Sequence, residues 1–505
     1  MLMPRFDRSL LIAAGSGLLL SAAFPRPDLY PLAWIALAPL FAVMRRRPFA
    51  SGFTAGLVFF AVVLYWLNIV MTTYGGLSPL FSLLAYLFLL LYLAGYFAVV
   101  TWAACRLELL LKIPALLTLP ILWVALEYLR GQLLTGFPWA LLGYSQHNFS
   151  LAIQSADVTG VYGVSLLLVA VNGALAWLLR EPRRKLAWLG AFAVLLLSVS
   201  HLGYGYWRDA QPLDQRDVEL RVALVQGNVD QAIKWNPEQR QATVDKYLRL
   251  SSQNGAVAPE LIIWPEAATP FYLQDPSVFS EQVRQLPQQL GSYLLVGSPA
   301  YQQVAEGRYL NYNSAFLFSP QGEVLGRSDK IHLVPFGEYV PLGGLLTFVN
   351  KLVAGVGDFS PGSVKPLPLD GHSLGVLICY EAIFPELARD YVRQGSDLLV
   401  NLTNDAWFGH SSAHYQHLAM TRFRAIENRI WLARVANTGI SALIAPSGKV
   451  VAASSLFETE SLAGTVGLGS EATLYTRFGD LLAYLCLVLC AGFSVVALLV
   501  ARRQR

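Results

Sequence analysis

Charge is scarce in this chain. Asp, Glu, Lys and Arg together supply 14% of 505 residues, against 55% hydrophobic residues, and the mean hydropathy is +0.46. Soluble domains carry about a quarter of their residues charged, so an ordinary soluble protein is excluded for the chain as a whole. Cysteine is also rare. Of the four, Cys105, Cys486 and Cys490 lie in apolar runs and only Cys379 lies in a polar stretch, which excludes a disulfide inside that stretch. No GxGxxG follows a strand-like run, no Walker loop occurs, and no His/Cys cluster has metal spacing. No cofactor and no metal are therefore expected. His410, His414 and His417 recur at near-helical intervals, but without an HExxH pattern a packed or solvated helix face is the simpler reading. The net charge of +4 sits in short loops between apolar runs, while the polar middle of the chain has more carboxylates than cations. Nucleic acid does not suit such a surface as a partner.

What is present is a series of long uncharged runs. A helix needs about twenty apolar residues to cross the hydrocarbon, and about eight runs qualify as spanning candidates: Ser9–Ala23, Tyr30–Met44, Gly52–Met71, Leu77–Cys105, Ile113–Tyr128, Gly160–Leu179, Leu186–Gly203 and Leu481–Val500. The first two are short and flanked by Pro25, Pro27 and Pro31; a re-entrant pair is the alternative, and spanning is preferred because each borders a charged turn. Arg5 and Arg8 before the first run resemble a signal sequence, but the runs that follow favour an anchor. The expected organisation is seven membrane helices in residues 1–203, a polar domain in 204–470, and a last helix with a basic tail in 471–505.

The loops give an orientation, because Lys and Arg are retained on the cytoplasmic side. Arg45, Arg46 and Arg47 follow the second run, Arg106 and Lys112 the fourth, Arg180, Arg183, Arg184 and Lys185 the sixth, and Arg502, Arg503 and Arg505 the last. The alternate loops carry little beyond Arg26 and Arg130. Both termini are thus expected in the cytoplasm and the polar domain outside it, which in a bacterium is the periplasm. Neither ATP nor acyl-CoA is freely available there, so an activated acyl donor would have to be a membrane lipid.

From Val218 short β-branched runs alternate with amphipathic stretches. Strands are predicted at Glu219–Gln226, Leu261–Trp264, Tyr293–Gly297, Ser314–Ser319, Ser373–Cys379, Asp397–Leu402, Ser441–Ala445 and Val450–Ala453. Helices are predicted at Pro237–Ser252, Val278–Leu290, Pro385–Gln394 and Ala413–Glu427. Such a pattern makes a layered α/β domain.

Three segments carry chemistry. In Leu261-Ile262-Ile263-Trp264-Pro265-Glu266 a proline ends an apolar strand and presents a carboxylate at the sheet edge; a solvated turn explains Glu266 equally well. In Asp329-Lys330-Ile331-His332-Leu333-Val334-Pro335-Phe336-Gly337-Glu338 a lysine and two carboxylates sit in an apolar loop, where a surface ion pair of Lys330 with Asp329 is the plain alternative. In Gly375-Val376-Leu377-Ile378-Cys379-Tyr380-Glu381 a buried-strand run delivers a thiol to its end. A nearby ammonium and carboxylate base would lower the pKa of such a thiol or take its proton.

Glu266 after Trp-Pro, Lys330 in its Asp-Lys-x-x-Leu-Val-Pro-Phe-Gly-Glu stretch and Cys379 in Cys-Tyr-Glu, in that order, resemble the nitrilase superfamily. With apolar helices on both sides, the whole chain resembles the membrane-bound N-acyltransferase branch of that superfamily. The resemblance implies an α-β-β-α sandwich beside a membrane helical bundle, with Glu266, Lys330 and Cys379 as a catalytic triad. Cys379 would attack a phospholipid acyl ester and hold the chain as a thioester. The α-amine of the diacylglyceryl-cysteine of an apolipoprotein would then take it. Glu266 would be the base, and Lys330, with a backbone N–H near Cys379, would stabilise the oxyanion. Glu338 would orient Lys330, Tyr380 and Glu381 would flank the nucleophile, and Trp235 and Trp407 would line the lipid entrance, core packing being the alternative for both tryptophans. The apolar stretch Leu345–Gly357 suits a mobile flap or a core helix. A monomer is expected, with no partner beyond the two substrates and the membrane. Two other functions stay open: a membrane-anchored amidase that passes its acyl group to water, and a transporter or sensor with a binding domain. Glu127 is the main charge inside the apolar runs, whereas transport pathways need more.

Overall fold

The computed structural model describes residues 7–211, 218–253, 258–339 and 359–503. Leu345–Gly357, the stretch suited to a flap, lies outside the described residues. The chain divides into two compact units, one comprising Met1–Asn68, Ser78–Gln211 and Phe478–Arg505, the other Ile69–Leu77 and Pro212–Arg477.

The first unit is helical. Among the described residues four helices are long and apolar enough to cross a membrane: Pro79–Leu111, Val161–Arg180, Lys185–Asp209 and Leu481–Arg503. The number rises to five if the bent pair Pro48–Val63 and Leu67–Tyr74 counts as one span. Helix length and composition thus support several spans and do not confirm the expected eight or so. Arg8–Ala22 has only 15 residues, about 22 Å of helix against a hydrocarbon core of about 30 Å. The run Tyr30–Met44 is not one helix. It splits into a 3-10 turn, Tyr30–Trp34, and a six-residue helix, Ala38–Val43, because Pro31 and Pro39 each favour a helical start and are costly in a helix interior. The amides of Leu37 and Ala38 at this break donate to Asn172 Oδ1 at 2.8 and 2.9 Å. The break after Val63 is likewise satisfied by a side chain, since Tyr86 donates its hydroxyl to the Ala61 carbonyl at 2.7 Å. Apolar surroundings demand such partners for every freed backbone group.

Ala115–Gln132 carries Pro120 in its interior together with buried Glu127 and Arg130. Glu127 Oε1 accepts from the Leu142 amide at 2.7 Å, and Arg130 donates to the carbonyls of Phe137 and Trp139 at 3.1 and 2.8 Å. These two charges hold an irregular segment of the helical unit in place.

The second unit is built on two six-stranded sheets. The first contains β1 (Glu219–Gln226), β2 (Leu261–Ile263), β3 (Tyr293–Ala305), β4 (Arg308–Phe318) and β5 (Val324–Asp329). The second contains β6 (Leu367–Leu369), β7 (His372–Ile378), β8 (Leu398–Thr403), β9 (Leu432–Ala436), β10 (Ala442–Ile444) and β11 (Val450–Ala453); β12 (Glu460–Gly467) returns to the first. The orders are β12-β1-β2-β3-β4-β5 and β11-β10-β9-β8-β7-β6. In each, three parallel strands form the centre, β1-β2-β3 and β7-β8-β9, and antiparallel strands form the edges.

Strand alternation explains the layering. Leu220, Val222 and Leu224 of β1 join Leu261, Ile263 and Leu295 against Leu374, Val376, Ile378, Leu398 and Val400 of the second sheet. The intervening Ala223 and Val225 join Ile262 and Trp264 against Val244, Tyr247 and Leu250 of helix Arg240–Ser252 and Val283 and Leu286 of helix Val278–Leu290. Side chains of period two thus bury both faces of one sheet. Helices Pro385–Arg393 and Ala413–Asn428 serve the second sheet, so the unit is an α-β-β-α sandwich.

Candidate active site

Glu266 follows β2, Cys379 follows β7 and Lys330 follows β5, so strand ends position all three. Parallel strands aim the residues after their carboxyl ends into a common crevice, where sites of this class of sheet form. Glu266 reaches it because its turn lies directly on β3: the Ala268 amide donates to the Gly297 carbonyl at 2.8 Å. A Cβ at Gly297 would meet the Pro265 carbonyl oxygen at 2.3 Å, so only glycine permits that approach. Cys379 has φ +56, the left-handed region that costs a non-glycine residue about 1–3 kcal/mol and clusters at functional sites. The turn it opens, Cys379–Ile383, swings the thiol off the strand line.

The polar groups are buried and interlocked. Glu266 is 6% exposed and Lys330 1%, which removes the solvated-turn reading of the first and the surface-pair reading of the second. Asp329 instead pairs with Arg327 at 2.9 Å. Lys330 Nζ lies 2.8 Å from Glu338 Oε1 and 3.6 Å from Glu266 Oε1. Asn313 Nδ2, on β4, donates to both carboxylates, at 2.7 Å to Glu266 and 3.0 Å to Glu338. Glu266 Oε2 accepts from the Asn404 amide at 2.8 Å, and Glu338 Oε2 from the Val334 amide at 2.8 Å. Burial alone would lower the Lys330 ammonium, but Glu338, Glu266 and Cys379 together hold it above the ordinary lysine range. It stays charged.

Burial pushes the Cys379 thiol well up; Glu266 adds to the rise and Lys330 opposes it. Of the two ways to activate a thiol named above, the environment therefore disfavours a preformed thiolate. Thr403, at the end of β8, donates its hydroxyl to Asp405 Oδ1 at 2.7 Å. Asp405 in turn meets Arg434 Nη2 at 2.6 Å and His417 Nδ1 at 3.1 Å. His414 Nε2 lies 2.7 Å from the Gly409 carbonyl, and the His410 ring lies tilted against Phe457 with centroids 4.1 Å apart. The three histidines are thus engaged within the fold.

Glu381 is a brace. One oxygen accepts from the Ile331 amide at 2.5 Å and the His332 amide at 3.0 Å, and the other from the Ile378 amide at 2.6 Å. It therefore ties the loop after Lys330 to the strand end before Cys379. Burial raises its carboxyl to about 7, against the pull of those amides. Tyr380 is half-buried, with its ring 5.1 Å from Phe384. Trp235 is half-buried beside the fully buried Lys234, and Trp407 meets Tyr74 edge-on at 5.6 Å.

The motif reading missed Asn313, Asn404 and Lys234. Asn313 left one signal, since asparagine is depleted from strand interiors and here stands just before the apolar run 315–318. Asn404 acts through its main chain, to which side-chain identity gives no access.

Comparison with known proteins gives the family. A family model for carbon-nitrogen hydrolase matches residues 221–474, and one for the apolipoprotein N-acyltransferase N-terminal domain matches residues 16–174. The apolipoprotein N-acyltransferase of Geobacter metallireducens is 48% identical over 99% of this chain and 98% of its own length. The enzymes of that name from Methylococcus capsulatus and Nitrosomonas europaea are 38% and 34% identical, over 99% and 96% of this chain and 97% and 96% of theirs. With an α-β-β-α sandwich, a helical unit with several membrane-length helices and near end-to-end similarity to these enzymes, the chain belongs to the apolipoprotein N-acyltransferase family.

Proposed function

We propose that this membrane protein N-acylates lipoproteins in two half-reactions at Cys379. In the first, Glu266 takes the thiol proton as Sγ attacks the ester carbonyl of a membrane phospholipid. Lys330 faces the oxyanion as it forms, and the lysophospholipid leaves as its alcohol with a proton returned from Glu266. The product is a thioester on Cys379. In the second half-reaction the α-amine of a diacylglyceryl-cysteine attacks that thioester, Glu266 accepts the amine proton, and the thiol is released. Glu338 orients Lys330, and Glu381 fixes the loop that carries it. The convergence of buried Glu266 and Lys330 with half-buried Cys379 supports this reading.

The acyl donor fits the membrane setting. Each methylene of a lipid chain buried in a bilayer is worth about 0.8 kcal/mol, so an enzyme that draws its donor from the membrane plane avoids extracting it. Trp235 and Trp407 line the path of the chain, and the globular unit faces the periplasm from the inner membrane as a monomer.

Mass spectrometry of the purified protein before and after incubation with phospholipid vesicles tests the proposal. The expected result is a mass gain of one acyl chain on Cys379, absent in Glu266→Ala. A hydrolase passing the chain to water uses the same residues, so persistence of the adduct until an amine-bearing lipopeptide is added separates the two. No adduct with any phospholipid would sink the mechanism.

A further inference from the structure

The acyl-transfer reading employs one lysine and leaves a second buried one without a role. Lys234, between β1 and helix Arg240–Ser252, is 1% exposed. Its Nζ donates to the main-chain carbonyl of Glu266 at 3.2 Å, and the charges acting on it are those of Glu266 and Cys379. No ion pair within 4.0 Å is recorded for it among the described residues. Lysine is almost never fully buried without a carboxylate partner, and an ammonium has three protons to place. A lysine that merely capped a carbonyl would be an expensive way to do so.

Charge balance supplies the reason. Glu266 and Glu338 present two carboxylates, and Lys330, nearer to Glu338 by 2.8 against 3.6 Å, is one cation for both. We propose that Lys234 is a second cation of the site, a positioning residue that anchors the Glu266 turn and keeps the Glu266–Cys379 pair in its singly negative form. That form is Glu266 ionised with a neutral thiol, or Glu266 protonated with a thiolate. Passing the proton between the two leaves the pair's charge unchanged, so a nearby ammonium does not oppose the transfer. It opposes only uptake of a further proton, which would disarm the base.

The effect should show on the acid side of a reactivity profile, where Lys234 carries its charge. Burial lowers Lys234 to about 8, against the opposing effects of Glu266 and Cys379, while Lys330 is held far above that range. The titratable groups facing Lys234 are Glu266 and Cys379; behind them stand Lys330, which meets Glu266, Glu338, which pairs with Lys330, and Asp405, which acts on Cys379. Of these, Lys234 is the cation placed to lose its charge near pH 8.

The inference rests on Cys379 as nucleophile and Glu266 as its base, and the test separates failure of one from failure of the other. The full chain in detergent micelles is treated with iodoacetamide across the pH range, and alkylation is read on the Cys379 peptide by mass spectrometry. The wild type should show a break where the pair gains a proton. Lys234→Met should move that break up by about one pH unit, making alkylation about tenfold slower on its acid side. Lys234→Arg, which keeps a cation there, should keep the wild-type break. A wild-type profile in Lys234→Met, or a break in Lys234→Arg displaced as far as in Lys234→Met, would overturn the inference. Should Lys234→Met fail to fold, Lys234→Gln, which keeps a donor for the Glu266 carbonyl but no charge, takes its place and should show the same displacement. Absence of any acyl adduct on wild-type Cys379 would instead remove the acyl-transfer reading beneath it.

Discussion

Asn313 donates its side-chain amide to Glu266 Oε1 at 2.7 Å, so the carboxylate proposed as base is held by a neutral donor as well as by a cation. The same nitrogen reaches Glu338 at 3.0 Å. Asn313→Asp replaces that donor with a third acidic group among two carboxylates, whereas Asn313→Leu only removes it. A hydrogen bond to a charged group contributes about 1.5–3 kcal/mol, so Asn313→Leu should lower kcat about 10- to 100-fold. Asn313→Asp should be the more damaging, in both acyl-Cys379 formation and Tm. Equal activity in the two variants would contradict the assignment.

Glu266→Gln keeps the size of the side chain and an acceptor for the Asn404 amide, but removes the proton acceptor. Acylation of Cys379 should slow about 10²- to 10⁴-fold, while Tm stays near that of the wild type. Single-turnover acylation from phospholipid measures the first quantity. Near-normal acylation would mean that another group takes the thiol proton.

Glu381 never needs to touch substrate to matter. Glu381→Ala leaves the amides of Ile331, His332 and Ile378 without their acceptor, and each orphaned buried group costs about 1–3 kcal/mol. Hydrogen exchange at Ile331 and His332 should quicken and Cys379 acylation should fall with it. Faster exchange with unchanged acylation would limit Glu381 to a structural role.

Asp405 carries a pH dependence of stability. Burial alone would raise its carboxyl, but Arg434 and His417 hold it well below the ordinary value of 3.8. Its contribution is therefore present in full above about pH 3.8 and fades as pH falls below that value. Removing one partner of a buried pair costs about 3–5 kcal/mol, so Asp405→Asn should unfold at a markedly lower temperature at neutral pH. The gap in Tm between variant and wild type should narrow in acid. A constant gap would show that Asp405 is already protonated in the folded protein.

The site was legible where strand logic applies. An apolar run that ends in Pro265-Glu266, and another that ends in Cys379-Tyr380, announce side chains delivered to a sheet end. Lys330 was readable only beside its neighbours in the loop, because a lysine next to Asp329 looks like a surface pair until burial is known. Glu381 could be placed next to the nucleophile, but its bracing of two backbone segments depends on a loop that is distant in sequence. Lys234 offered no signal, since hydrophilic residues before a helix are ordinary. In the fold, Val278–Leu290 was read to the residue from its apolar periodicity. Tyr30–Met44 was misjudged because composition registers apolarity and underweights two prolines. The strands β5, β6, β9 and β12 escaped because they are short or lack clean alternation. Their places are set by partners such as β1, which pairs with β12 along eight residues.

The nine residues Ile69–Leu77, flanked on both sides by segments of the helical unit, cluster with the globular one, and Tyr74 among them packs on Trp407. A fragment cut to begin after Gln211 would leave that aromatic face bare. Expressing the globular portion as a water-soluble piece would therefore subtract part of its own wall along with its anchor, and the separated fragment would be prone to self-association.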